Sequence, residues 1–325
     1  MGSTTTAFLP RAWDVERAAM TFTVRAGPPK GRVEKAAVTV IGGSGFLGSH
    51  VADQLSEAGY RVRIYDRIVS PWIRPDQEMI VGDVMNGERV LEAVEGAQAV
   101  YNFAALADLN LALNRPIETI EVNVLGNARA LEACRRAGVK HFLYASTVYV
   151  YSREGGFYRC SKQAAEQYVV EYQRVYGLDY TILRYGSLYG PRADASNGLY
   201  RIVWSALNSG VVRYQGSPDA LREYMHVEDA AYASVAALGD DFRNQSVVLT
   251  GMQPMPVQDL LKMIAEILGI TREIEFLDGE QPGHYTRTPY AHQPKLGRKY
   301  IPPLHVDLGQ GLLQLIDEIR EKEGT

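Results

Sequence analysis

The chain has 325 residues, 46% hydrophobic and 22% charged, with a formal net charge of -4. That length carries one large α/β domain and a smaller lobe with ample core; the charge gives no support for a nucleic-acid or anionic-membrane partner, and no apolar run approaches a membrane span. Two cysteines, Cys134 and Cys160, exclude a disulfide framework and suit a reducing, cytoplasmic setting, while six histidines without ligand spacing predict no metal.

Residues 1–35 mix small polar residues with Arg11, Arg17, Arg25, Lys30 and Arg32 and contain Gly27-Pro28-Pro29. They lack the apolar core of a secretory signal. Met1 to Thr6 formally fits an acylation pattern, but the expectation is a partly disordered leader with a short strand at Met20–Val24.

The first strong signal follows. The β-branched run Ala37-Val38-Thr39-Val40 leads through Ile41-Gly42-Gly43-Ser44-Gly45-Phe46-Leu47-Gly48 into the helical pattern His50–Leu55. Strand, glycine turn and helix together make a dinucleotide fingerprint: the glycines permit a tight turn and a close approach of backbone to pyrophosphate, whose charge meets the helix N-terminus. A second alternating segment, Tyr60–Tyr65, ends in Asp66, about twenty residues beyond the glycines, where a carboxylate binds ribose hydroxyls. That charge repels a 2′-phosphate, so NAD is expected rather than NADP, with Arg67 partly offsetting the preference. A third unit, Glu78–Val84, brings Asp83 toward the adenine.

Strands and helices then alternate in the doubly wound manner. Gln98–Phe103 reads as a buried strand followed by Ala104-Ala105. A long helical pattern runs through Val124, Ala128, Leu131 and Cys134 and stops at Gly138. Lys140–Ala145 and Tyr180–Tyr185 are further strands. Gly42, Asp66, Asp83, Ala104 and Ser146 all fall at the carboxyl ends of strands, where open α/β sheets bind ligands.

The catalytic signal is Tyr158-Arg159-Cys160-Ser161-Lys162. Tyr and Lys four apart share a helix face. A phenol near pKa 10 is a poor base at neutral pH; a neighbouring ammonium and a positive nicotinamide are expected to lower it toward the working range. Lys162 also holds the nicotinamide ribose, and a hydroxyl at Ser146-Thr147 bonds the substrate oxygen that Tyr158 deprotonates.

With Asn102-Phe103-Ala104-Ala105, Asn123-Val124-Leu125-Gly126, Tyr144-Ala145-Ser146-Thr147, Tyr189-Gly190-Pro191-Arg192, Arg222–Asp229 and Lys295-Leu296-Gly297, these marks resemble the extended short-chain dehydrogenase/reductases, in the nucleotide-sugar epimerase/dehydratase branch that includes UDP-glucose 4-epimerase-like enzymes. The resemblance runs from about Ala36 to Ile316. It implies a doubly wound parallel sheet (Rossmann) with a smaller C-terminal α/β substrate lobe: residues 36–190 bind NAD, completed by about 224–250, and 191–223 with 251–325 form the lobe. It implies a sugar-nucleotide substrate between the two parts and a homodimer on paired helices. It implies cofactor contacts at Gly42, Gly45, Phe46, Leu47, Gly48, Asp66, Arg67, Asp83, Val84, Ala104, Ala105, Asn123, Ser146, Tyr158, Lys162 and Tyr185. Catalysis falls to Thr147, Tyr158 and Lys162, and substrate contacts to Thr147, Val148, Tyr149, Ser187, Arg222 and Arg287.

Three departures bear on the chemistry. Val148-Tyr149 stand where dehydratases of the branch have an acidic pair, and valine cannot transfer a proton; Tyr149 reads as a wall of the sugar pocket, with an unconventional acid as the alternative. Ser187 replaces the Asn of an Arg-x-x-Asn pattern. The downstream arginine stretch appears only as Gln281-Pro282-Gly283-His284; Arg287 reads either as a substitute for it or as a solvated surface charge. Arg222 faces the diphosphate, a role suited to a guanidinium. The expected activity is NAD-dependent nucleotide-sugar 4-epimerisation, by transient C4 oxidation and return of the hydride. A dehydratase or 4-keto-reductase is the alternative enzyme, and a non-catalytic NAD-sensing or scaffold protein the alternative of another class.

Overall fold

The computed structural model describes residues 36–272, 274–277, 284–289, 298–300 and 302–324. The expected leader with its strand at Met20–Val24, and the segments Gln281–Gly283 and Lys295–Gly297, lie outside these residues.

The described strands β1 (Ala37–Ile41), β2 (Arg61–Asp66), β3 (Gln77–Val81), β4 (Ala99–Asn102), β5 (His141–Thr147), β6 (Asp179–Tyr185), β11 (Gln245–Leu249) and β14 (Arg298–Lys299) form one sheet in the order β14-β11-β6-β5-β4-β1-β2-β3. Every pairing in it is parallel. Parallel strands are buried on both faces and read as continuous apolar runs; β1, β4 and β5 are buried almost throughout. One face is covered by α1 (Phe46–Glu57) and α8 (Val227–Ala236), through Val51, Leu55 and Ala230. The other is covered by α2 (Gly87–Val94), α5 (Asn127–Ala137) and α6 (Gly156–Tyr176), through Val90, Leu131 and Val169. The strand order reverses between β1 and β4, the crevice where such sheets take ligands.

The helix expected to run to Gly138 is present, but its first part is widened. Two short helices, α3 (Leu109–Asn114) and α4 (Pro116–Ile120), lead into a π-helical turn, Glu121–Gly126, before α5 ends at Gly138 with φ 69°. A Cβ at Gly126 would stand 2.8 Å from Val84 Cγ1. The wide turn therefore lets the chain pass close to the segment after β3, and it carries Asn123 inward, as π-turns near functional sites commonly do.

The second part packs α7 (Gly198–Ser209), α9 (Val257–Leu268) and α10 (Leu308–Glu323) around Val203, Leu261, Ile264 and Leu315. Short pairs complete it: β8 (Arg213–Gln215) with β13 (Glu275–Leu277), and β9 (Leu221–Arg222) with β12 (Met255–Pro256). Between the two parts β7 (Ser187–Tyr189) pairs with β10 (Tyr224–His226). One expected boundary is corrected here. Residues 251–325 do not belong wholly to the lobe: β14 returns to the central sheet, because β11 would otherwise leave its outer edge unpaired.

Burial pushes four imidazoles down to about 4: His50, which meets Pro191 O at 3.0 Å, His141, which meets Thr181 Oγ1 at 2.8 Å, His226 and His284. The unfolded chain takes up their protons near pH 6.5 and the folded chain does not, so stability is full above about 6.5 and falls as pH drops toward 4. Asp229, pushed up to about 6 by burial, works in the opposite direction, but it is one group against four. The urea midpoint should therefore be lower at pH 5 than at pH 7.5. A midpoint that holds or rises on acidification would contradict this assignment.

Candidate active site

The glycine turn builds the first part of the site. Gly42 has φ +80°, donates its N–H to Tyr65 O at 2.8 Å, and leaves no room for a side chain: a Cβ there would meet Ala104 N at 2.6 Å. At Gly48 a Cβ would be 2.2 Å from Gly42 O, so α1 packs hard against the turn. The Gly45 N-cap makes no side-chain cap bond and the first turn of α1 has no acidic residue, which leaves N–H groups for an anion. Asp66 ends β2 and accepts Ser44 N–H at 3.0 Å. A crevice of about 160 Å³ runs from Gly42 and Gly45 past Asp66 and Arg67 to Asp83 and Val84, with Ala104 and Ala105 on its far side. A side-chain-free turn, an open helix start and a carboxylate at the second strand fit a dinucleotide.

Five expected cofactor residues are used differently. Phe46 packs into the core of the lobe and Leu47 against the core beneath α1, and neither lines the crevice. Asn123 accepts Leu106 N–H at 2.7 Å and spends both amide protons on Leu106 O and Ser161 Oγ, bracing the 106 loop. Ser146 Oγ donates to buried Glu166 Oε1 at 2.5 Å. Tyr185 shares a hydrogen bond with Ser234 Oγ at 2.6 Å, although its ring still lines the neighbouring cavity. Polar groups at buried strand ends need partners, and tertiary neighbours supplied them first.

The second part is a cavity of about 400 Å³ at the ends of β5 and β6, facing the lobe. Thr147, the last residue of β5, and Tyr158, on the first turn of α6, both line it. Lys162, one turn along, is buried and donates to Ala145 O at 2.8 Å; its Nζ lies 5.8 Å from the Tyr158 ring centre. Glu166, a further turn along, receives Arg184 at 2.9 and 2.6 Å, and Arg184 also reaches Tyr151 Oη at 2.5 Å. This buried network anchors the chain on both sides of Thr147.

The electrostatics correct one expectation. Burial pushes the Tyr158 phenol up to about 12, with a hydrogen bond from Thr147 acting against it. Burial likewise pushes the Lys162 ammonium down to about 7, with Glu166 opposing. In the protein alone desolvation outweighs the ammonium expected to draw the phenol toward neutrality.

Val148, Tyr149, Ser187 and Arg222 line the same cavity. Arg222, on β9, donates to Tyr285 O at 2.7 Å and lies over the Tyr285 ring at 4.7 Å. Ser187 Oγ meets Tyr285 Oη at 3.3 Å. Arg287 does not join them. The 286–288 strip lies along Leu221, with a bridge at Arg287 itself, so Tyr285 turns inward while the Arg287 side chain is exposed. Sequence reasoning missed Tyr285, which no motif marks, and did not assign His284 as a lining residue, although it ends the stretch that stands in for the downstream arginine motif. It also missed Glu166, which the i, i+4 spacing from Lys162 could have revealed.

Residues 38–249 match the NAD dependent epimerase/dehydratase family. The chain is 26% identical to a putative UDP-glucose 4-epimerase of Methanocaldococcus jannaschii over 311 residues, 89% of this chain and 100% of that protein. It is 25% identical to a UDP-N-acetyl-alpha-D-glucosaminuronate decarboxylase of Bacillus cytotoxicus, covering 87% of this chain and 98% of the relative. Among solved structures it is similar to UDP-glucose 4-epimerase of Thermotoga maritima with UDP-glucose, at a TM-score of 0.77 and 26% identity over 88% of this chain and 99% of that one. The Thermus thermophilus UDP-glucose 4-epimerase complex with NAD gives a TM-score of 0.73 at 26% identity, over 87% and 99%.

Proposed function

The chain belongs to the NAD dependent epimerase/dehydratase family, and we propose that within it this protein is a nucleotide-sugar 4-epimerase. The observation that carries the reading is the acid–base inventory beside Thr147. Val148 and Tyr149 follow it, Tyr149 is held protonated by burial, and the Asp108 carboxylate on the cavity wall caps α3 through Leu111 N–H at 2.8 Å. His284 on the same wall is tied to Tyr149 Oη at 3.2 Å, whereas Tyr158 bonds Thr147. Tyr158 is therefore the group placed beside Thr147 to move a proton, which serves oxidation and reduction at one carbon and not the elimination of water. The relatives named above as UDP-glucose 4-epimerases support the choice.

NAD, when bound, would supply the acceptor and donor for the C4 hydride and a positive ring that favours the phenolate. Gly42, Gly45, the start of α1 and Asp66 would hold it. Thr147 orients the C4 oxygen and Tyr158 takes that oxygen's proton as the C4–H bond breaks. Lys162 supports the phenolate and holds the ribose. Arg222 binds the diphosphate while the 4-keto sugar turns, and Tyr158 gives the proton back when the C–H bond re-forms on the other face. With UDP-glucose deuterated at C4, the product should keep the label at C4 and no added NADH should be needed. Label delivered to C6, or a stable keto-deoxy product, would instead indicate a dehydratase.

We further propose a homodimer. Leu113, Ile117, Ile120, Leu125, Phe157 and Tyr168 are exposed on α3, α4, the π-turn and α6, which pack against one another. A contiguous apolar face of this kind suits a self-complementary contact. Sedimentation should give twice the chain mass, and the double variant Ile117→Glu, Ile120→Glu should give monomers; a monomeric unaltered protein would refute the assembly. Both thiols are free, Cys134 buried and Cys160 exposed, and no helix among the described residues is long and apolar enough to cross a membrane, which supports a cytoplasmic site of action.

A further inference from the structure

Tyr149 and His284 meet in the cavity wall without a part in the proton transfer. The Tyr149 ring packs on Tyr285 with centres 4.7 Å apart and stands edge-on to Tyr158 at 6.4 Å. Gly155, at φ +95°, makes room for it, since a Cβ there would fall 2.7 Å from Tyr149 Cδ1. Its hydroxyl lies 3.2 Å from His284 Nδ1, and this is its one hydrogen bond among the described residues.

The direction of that bond follows from counting protons. A phenol has one proton and a neutral imidazole one. If His284 donated from Nδ1, the Tyr149 hydrogen would be left without an acceptor in a largely desolvated wall, which is the costlier arrangement. Tyr149 therefore donates, Nδ1 accepts, and the imidazole proton sits on Nε2. Burial, with Arg222 and Arg201 adding to it, pushes His284 down to about 4, so the ring is neutral at working pH. His284 lines the cavity, and Nε2 has no partner among the described residues.

We propose that His284 is a substrate-binding residue whose Nε2–H, fixed in that tautomer by Tyr149, donates to an uncharged oxygen of the sugar. A neutral N–H suits such a contact. Hydroxyl and keto oxygens both accept from it, so the bond survives the oxidation and reduction of the ring. The proposal rests on the nucleotide-sugar reading above.

Two measurements on the NAD-loaded protein test it. Imidazole nitrogen NMR, with His284 identified by loss of its signals in His284→Gln, should show the Nε2–H tautomer in the unaltered protein and a mixture in Tyr149→Phe. Calorimetry with UDP-glucose should show His284→Ala binding about 3- to 10-fold more weakly, the loss of one hydrogen bond. His284→Gln, whose amide nitrogen reaches the Nε2 position, should recover most of that. In Tyr149→Phe, KM should rise more than kcat falls. A proton on Nδ1 in the unaltered protein, or UDP-glucose binding unchanged in His284→Ala, would overturn the proposal. Failure of the unaltered protein to bind UDP-glucose would overturn the nucleotide-sugar reading itself, and the donor role with it.

Discussion

Tyr158→Phe should lower turnover by about 10²–10⁴-fold, the usual contribution of a positioned acid–base group. The ring remains, so its edge-on contact with Tyr149 and the cation–π approach of Lys162 are kept. What is lost is the oxygen that bonds Thr147 in the cavity. Secondary structure by circular dichroism and retention of NAD should therefore be unchanged, and kcat should fall without a matching rise in KM. Thr147→Val should cost less, because it removes a hydrogen bond and leaves the proton acceptor. Because burial pushes the phenol up to about 12, the unaltered enzyme should also speed up as pH rises through the neutral range. Near-normal turnover in Tyr158→Phe would end the mechanism proposed above.

The second large effect is expected on stability. Arg184→Met should destabilise the fold by about 3–5 kcal/mol, the cost of leaving one member of a buried ion pair alone. Glu166 is the member left behind. It is buried, and it takes two bonds from Arg184 and one from Ser146. The loss is large because the charge cannot reach water, and that distinguishes this pair from the exposed Arg135–Glu132 pair on α5, whose charges water solvates and screens. The double variant Glu166→Met, Arg184→Met should lose less than Arg184→Met alone, since no charge is stranded. Urea unfolding of the three proteins decides it. Equal losses in the single and double variants would mean that lost packing, and not an unpaired charge, sets the cost. The same network fixes Ser146 and Tyr151 on either side of Thr147, so Arg184→Met should also reduce turnover where it still folds.

The fold and half of the site are open to reading because their signals are local. The run from Ala37 to Gly48 announces strand, turn and helix through β-branched residues, glycines and helical spacing, and the structure keeps that order, with β1 reaching Ile41 and α1 starting at Phe46, four residues before the expected His50. Asp66 is legible from its distance to the glycines, and Tyr158 with Lys162 from one helical turn. The widening of the long helix to Gly138 is not legible, because hydrophobic periodicity does not register a wide turn that the close approach of Gly126 to Val84 requires.

The sequence by itself determined which residue types stand at which strand and helix ends, because periods of two and 3.6 residues are properties of the backbone. Tertiary structure alone decided how their polar atoms are spent. Asn123 and Ser146 stand where they were expected and bond to protein groups brought from 17 to 38 residues away. His284 and Tyr285 reach the cavity because the 286–288 strip docks beside Leu221, while Arg287, two residues along from Tyr285, points out. The proton affinities of Tyr158 and Lys162 moved in the directions opposed to their charged forms, since desolvation depends on every atom packed around a group. Spacing along a chain carries no record of that packing.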